Sequence, residues 1–222
     1  MTIKNRSLFL SIFLLVLIQF LFLYLFHEKK MENWIKVVTN NSDLPIDLKS
    51  EVFRALFILI KEDSNLNVSK ELCTNRKMIQ NLFQLQRIPK SLSAIPYVET
   101  KYRNLSGKEN AGIWNFDIYT SQMYGLAVDN RIDERLDLKK SSEVAVKYLN
   151  TLYELFKNWN LVILAYRYGE GQILQLVRNY PNLDAWEIES KIGMEDSYLG
   201  RVLAAIIFLE NIECERVKAR PH

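Results

Sequence analysis

Cysteine is nearly absent from this 222-residue chain: there are two, Cys73 and Cys214, with no CxxC pair and no Cys/His cluster. Neither a metal site nor any other cofactor is therefore expected. Two arrangements suit the pair. In an oxidising compartment they tie the start of the domain to its last helix; otherwise they are buried free thiols. Blocks of basic residues and basic–aromatic arrays are also missing, and the net charge is only +3. Nucleic acid is not an expected partner, whereas a mild positive charge suits an anionic polymer such as a cell wall without selecting one. No stretch alternates apolar and polar residues long enough for a real sheet, and repeats and low-complexity tracts are lacking. The fold class expected is mainly α.

Long apolar runs, by contrast, are present. "SLFLSIFLLVLIQFLFLYLF" extends from Ser7 to Phe26. As a helix rising about 1.5 Å per residue it is ~30 Å long, the thickness of a bilayer's hydrocarbon core. It ends in "LYLFHEKK", with no small-x-small cleavage site and no cysteine for a lipid. The expectation is an uncleaved signal anchor over 1–27, one transmembrane helix. Lys4 and Arg6 precede it and Lys29 and Lys30 follow, so charge does not orient it.

Residues 28–70 read as a juxtamembrane linker and one helix, and 71–222 as the main domain. Asp47 is placed to cap "LKSEVFRALFILIKE". A further helix is expected over 72–86, after which "RIPKS" breaks the chain and Ser91 is placed to cap the next helix. "RNLSGKENAG" (103–112) reads as loop or short hairpin. From Ser141, Val144, Tyr148, Leu152 and Leu155 recur at spacings of three and four, an amphipathic stripe. Two more helices are expected at 160–180 and 198–217, separated by Pro181.

In "AIPYVETKYRN" (94–104) an apolar run ends in one acid, Glu99. By itself that describes a solvated helix end. Downstream, however, come "AGIWN" (111–115), "YGL" (124–126), "VDNRIDERLDLKKS" (128–141) and "LAYRYGEG" (164–171) in that order. The series, covering about residues 85–180, resembles the SLT domain of lytic transglycosylases, relatives of goose-type lysozyme, and within them the membrane-bound type D.

The resemblance implies a lysozyme-like helical domain with a short hairpin at its groove. It implies Glu99 as catalytic acid/base and Tyr166 as the tyrosine that hydrogen-bonds and positions its carboxyl. Gly112, Ile113 and Trp114 match the wall of the glycan groove, Ser106 a serine before it, and Thr100 the serine that usually follows the acid. Trp114 also suits the core. Asn115 stands where a sugar-contacting Gln is usual, and Arg167-Tyr168 where Asn-Ala is. The Arg167 cation in place of an amide predicts weaker binding of N-acetylated glycan and a preference for strands bearing peptide carboxylates. Asp133, Glu134, Arg135 and Asp137 match a stretch expected to be structural, through ion pairs and a helix cap.

The implied chemistry needs one carboxyl. As an acid it protonates the β-1,4 oxygen between MurNAc and GlcNAc while the substrate's N-acetyl group stabilises the oxocarbenium-like centre. As a base it then takes the proton of the MurNAc C6 hydroxyl, which closes 1,6-anhydroMurNAc. Both steps favour an apolar setting for the carboxyl. Asp117 is either a solvated loop residue or a second carboxylate that holds water for a muramidase-like hydrolysis. A third possibility is a wall-binding or scaffolding module that keeps the fold. The implied partner is peptidoglycan, and the implied place is the bacterial inner (cytoplasmic) membrane, crossed once, with the domain on its periplasmic side.

Overall fold

"YLGRVLAAIIFLE" has almost no polar face, and a helix apolar all round has to be covered all round. It forms α10 (Tyr198–Glu210), every residue of which from Tyr198 to Leu209 except Arg201 is buried. The other helices are laid around it in a computed structural model that describes residues 28–36, 43–62, 70–212 and 214. The apolar run at 7–26 lies outside those residues. Among the described ones no helix is long and apolar enough to cross a membrane.

Residues 28–36 are helical (α1), and Met31, Trp34 and Ile35 meet the core. The Trp34 ring packs edge-on against Phe208 of α10 at 5.5 Å. The start of the stretch read as a linker is therefore seated on the domain, because its three apolar residues fall on one helical face. Helix α2 (Ser50–Glu62) buries Val52, Leu56 and Ile60 at a spacing of four and lies along α10. Gly200 allows the close approach: a Cβ there would come within 2.9 Å of the Glu51 Cβ.

Helix α3 (Lys70–Leu85) leads to a 3-10 turn over Lys90–Ala94 and then to α4 (Ile95–Thr100). Ser91 sits inside the 3-10 turn and does not cap α4, because its backbone N–H and hydroxyl both donate to Asp43. Strands β1 (Asn110–Ala111) and β2 (Phe116–Asp117) pair antiparallel and form the one two-stranded sheet among the described residues. After the short α5 (Ile118–Met123), α6 (Leu138–Phe156) turns Val144, Tyr148 and Leu152 of the expected stripe inward, whereas Leu155 near the helix end is 45% exposed.

The expected helix at 160–180 is two helices, α7 (Trp159–Tyr168) and α8 (Glu170–Asn179). They break at Gly169, whose φ of +87° leaves the helical region. The short α9 (Ala185–Ser190), held by a capping box between Asp184 and Glu187, was not anticipated. Cys73 of α3 and Cys214 beyond α10 form a disulfide with Cα atoms 5.7 Å apart, closing 141 residues of chain. The paired arrangement is the one present, and it suits an oxidising compartment.

Candidate active site

Glu99 occupies the last full turn of α4, where Pro96 near the helix start presets the backbone. The chain then leaves the helix abruptly: Lys101 and Tyr102 both take left-handed backbone, at φ of 55° and 60°. Consecutive non-glycine residues in that region are costly, and such strain persists only where surrounding contacts impose it. Here the imposing contacts are the buried Tyr102 ring, whose hydroxyl donates to the Ser93 carbonyl at 2.5 Å, and the Thr100 hydroxyl.

Thr100 is 2% exposed, and its hydroxyl lies 2.9 Å from the Ile113 carbonyl and 3.0 Å from that of Pro96. It ties α4 to the hairpin and does not reach the groove, which corrects its expected substrate contact. The hairpin turn is fixed from both ends. Gly112 has a φ of +77°, and a Cβ on it would meet the Arg135 carbonyl oxygen at 2.1 Å, so no larger residue fits. Arg135, itself 2% exposed, pairs through two nitrogens with Asp133 and donates to the carbonyls of Glu109 and Phe116 at 2.6 and 3.1 Å. Asp137 caps α6 through the Lys140 N–H at 2.9 Å, and Glu134 pairs with Lys140. The 133–137 stretch is structural, as expected, and its buried arginine is what holds the hairpin in place.

The Trp114 side chain is fully buried, with its indole N–H donating to the Ser142 hydroxyl at 3.0 Å. Ile113 is 2% exposed. Both belong to the core, not to a groove surface, because the tight turn points them inward beneath the hairpin. Ser106 lies exposed in the loop and does not line the cavity that contains Glu99.

That cavity, about 100 Å³, is bordered by Asn115, Phe116, Asp117, Tyr148 and Arg167 as well as by the acid. The Glu99 side chain is only 5% exposed. Its Oε2 accepts from Asn115 Nδ2 at 2.9 Å and lies 3.4 Å from the Arg167 guanidinium, which is 42% exposed. Both contacts fall on one oxygen. Asn115 itself takes left-handed backbone, φ 54°, and its carbonyl accepts from the Asn110 side chain at 2.8 Å.

Tyr166 departs from expectation. Its hydroxyl donates to the Trp114 carbonyl at 2.5 Å, not to Glu99. The ring lies among Phe116 and Tyr148 at 5.9 and 5.8 Å, and burial, followed by the Glu99 charge, pushes its phenol well above the ordinary range. Tyr166 thus positions the turn that carries Asn115, and through Asn115 the acid. Asp117 is half-buried at the edge of the cavity and caps α5, accepting the Thr120 N–H at 2.8 Å on one oxygen and the Thr120 hydroxyl at 2.7 Å on the other.

One candidate was missed. Tyr198 opens α10 and is 1% exposed, and its phenol lies beside the Glu99 carboxylate. Burial, then the neighbouring Glu99 carboxylate, pushes its phenol well above the ordinary value, so it remains a donor beside the acid. The buried Glu189 fixes it, accepting the N–H of Tyr198 at 2.7 Å and of Leu199 at 3.1 Å. The helix expected from 198 does begin at Tyr198, but in sequence Tyr198 stands 99 positions beyond Glu99, and nothing in the spacing brings the two together.

Residues 78–189 match the family model of the transglycosylase SLT domain, just over half of the chain. Over 133 residues, 57% of this chain, the sequence is 28% identical to the membrane-bound lytic murein transglycosylase D of Escherichia coli K12 and equally to that of Escherichia coli O6:H1. The chain spans 29% of the length of these relatives. Glu99, the hairpin, Arg135 and Tyr166 all fall inside the matched stretch, whereas α2 and Tyr198 fall outside it. The ordered motifs, the helical domain and the match over its central part agree: the chain belongs to the transglycosylase SLT domain family.

Proposed function

We propose that this protein is a peptidoglycan lytic transglycosylase that cleaves the β-1,4 bond between MurNAc and GlcNAc and releases 1,6-anhydroMurNAc, with Glu99 as its single acid/base. The observation that carries this is the carboxylate inventory of the cavity. Glu99 and Asp117 are its two acids, and Asp117 has a structural task, each of its oxygens accepting one hydrogen bond from Thr120 to cap α5. An inverting hydrolase needs a second carboxylate free to hold water, and a retaining one needs a second as nucleophile. Anhydro-ring closure needs neither.

The role of each group follows from the geometry. Asn115 and Arg167 hold Oε2 of Glu99, which leaves Oε1 to give and retake the proton. Tyr166 fixes the turn that bears Asn115. Arg167 is the long, half-exposed side chain at the rim, so it meets substrate as well as acid. The disulfide and the type D relatives support a place outside the cytoplasm, with residues 7–26 as the membrane anchor. A second reading, a wall-binding module of reduced activity, is favoured by one contact: the Arg167 cation set against the acid.

Glu99→Gln preserves the shape and the Asn115 contact region but removes the transferable proton. General acid–base assistance is worth about 10²–10⁴-fold, so cleavage of purified sacculi should fall by that factor with the thermal midpoint retained. Cleavage by this variant at the wild-type rate would remove Glu99 from the chemistry. Wall binding without cleavage by the wild-type protein would favour the module.

A further inference from the structure

The stretch that reads as a linker in sequence is seated on the domain at two places. Only His27 separates Phe26, where the apolar run ends, from Glu28, where α1 begins. Along α1, the Trp34 ring meets Phe208 near the end of α10, and the Trp34 carbonyl accepts from Asn211 Nδ2 at 3.2 Å. Lys30 lies 4.7 Å from the centre of the same indole ring. The second seat is at Asp43, which accepts from the Ser91 N–H at 3.2 Å, and at Leu44, which is 2% exposed.

The first seat reaches the acid through side chains that are themselves fixed. Phe208 is buried and packs against Tyr97 of α4 at 5.7 Å, and Tyr97 stands two positions before Glu99. The end of α10 is also tied to α3, by the Cys73–Cys214 disulfide and by Arg76, which donates to the Leu209 carbonyl at 2.7 Å. At the start of α10, Tyr198 lies beside the Glu99 carboxylate. The path from Glu28 along α1 to Trp34, across to Phe208 and along α10 to Tyr198 is ~30 Å, at about 1.5 Å per helical residue. The straight distance is no longer than that. A tether left free over 28–43 would instead give up to ~55 Å of slack, at about 3.3–3.6 Å per residue.

We propose that α1 is a brace between anchor and active site: it holds the Glu99 groove within ~30 Å of the point where residues 7–26 end, so the strands cut are those lying against the membrane. The inference rests on the proposed glycan cleavage and on the proposed anchor. A loosely tethered domain would sweep through the depth of the wall, whereas a braced one works only its nearest layer. The selection is made by α1, which lies outside the residues that match the family.

The test places a Gly/Ser insert of about 20 residues, ~25 Å long on average, on either side of α1 in the full chain. One position is between His27 and Glu28, the other between Asn40 and Asn41. Both cysteines are held in the disulfide, so a dye on Tyr119→Cys labels a single site. Tyr119 is 72% exposed and lies between Asp117 and Thr120 in sequence, which both border the cavity of Glu99. Energy transfer from this dye to acceptor lipids in vesicles reads the height of the groove. The first insert should raise that height by ~25 Å, and the second should leave it at the wild-type value, because the seated helix bypasses the insert. Any other pattern, equal rises with both inserts above all, overturns the brace, as does wild-type protein that does not stay with the vesicles. On intact sacculi the vesicle-bound first insert should release anhydro ends several-fold faster than wild type, with soluble strands cut equally by all three forms. No gain on sacculi overturns the reach limit. If no form cuts soluble strands, the proposed cleavage fails, while the heights still decide whether α1 braces the domain.

Discussion

Two walls face each other across Glu99, and they are held in different ways. The hairpin wall is fixed through its main chain. The carbonyls of Ile113, Trp114 and Phe116 are taken by Thr100, Tyr166 and Arg135, and Gly112 leaves no room against the Arg135 backbone. The helical wall offers a long side chain, Arg167, which is 42% exposed and touches the acid at the limit of hydrogen-bond distance. Residues that resemble a family's substrate contacts (Thr100, Ile113, Trp114) here build the frame. The side chains that touch the acid, Asn115 and Arg167, both depart in type from the pattern the sequence resembles. A rigid turn therefore sets where the carboxyl stands, and variable tips set what it meets.

The sharpest way to break this contrast is to unfix the rigid wall. Gly112→Ala adds a methyl 2.1 Å from the Arg135 carbonyl oxygen at a positive φ. Backbone must move, so a loss of about 2–4 kcal/mol in denaturant unfolding is expected, with glycan cleavage lost in parallel. Full stability in this variant would show that the turn is not held as described.

Next in size is Tyr166→Phe. It leaves the Trp114 carbonyl without its donor in a buried place, which costs about 1–3 kcal/mol of stability. Cleavage should drop by less than in Glu99→Gln, because Asn115 loses its support but the proton donor stays. If activity falls as far as in Glu99→Gln with stability unchanged, Tyr166 acts on the substrate directly and not through the turn.

On the movable wall, Arg167→Asn should have a smaller effect on stability, since the guanidinium is 42% exposed and 3.4 Å from the acid and Asn115 still donates to the 5%-exposed Glu99. It restores the amide expected to bind an N-acetyl group, and one such hydrogen bond, ~0.5–1.5 kcal/mol, lowers KM on stripped glycan about 2–10-fold. An unchanged KM would remove Arg167 from the groove.

The smallest effect is a pH dependence in the clamp. Hydrogen bonds from Arg135 hold the Asp133 carboxyl below the usual carboxylate range. A carboxyl lowered on folding contributes stability above its unfolded value near pH ~4, and that contribution disappears as pH falls through the folded value. Asp133→Asn should therefore be less stable than wild type at pH 7, and the gap in thermal midpoint should close below pH ~4. A gap independent of pH would mean that charge at Asp133 does not matter.

Much of the frame was legible because it is written in local periodicity. The α6 stripe, the buried face of α2 and the loop at 103–112 follow from spacings of three and four and from their interruption. The motif order located Glu99 and the hairpin. What escaped depends on contacts distant in sequence. The Gly169 break lies inside a continuous amphipathic pattern, and the Trp114 indole finds Ser142, 28 residues on. Tyr198 reaches the acid because Glu189 anchors the start of α10, a pairing that no spacing announces. Asp117 read as a loop residue because its partner, Thr120, had not been placed in a helix.

The central claim is that one carboxyl acts as both acid and base, and the products of the reaction test it most directly. Sacculi digested by the wild-type protein and analysed by mass spectrometry should yield muropeptides ending in 1,6-anhydroMurNAc, lighter by one water than hydrolytic ends, and Glu99→Gln should yield almost none. Reducing MurNAc ends from the wild-type protein would contradict the account, because they require a held water and a second working carboxylate.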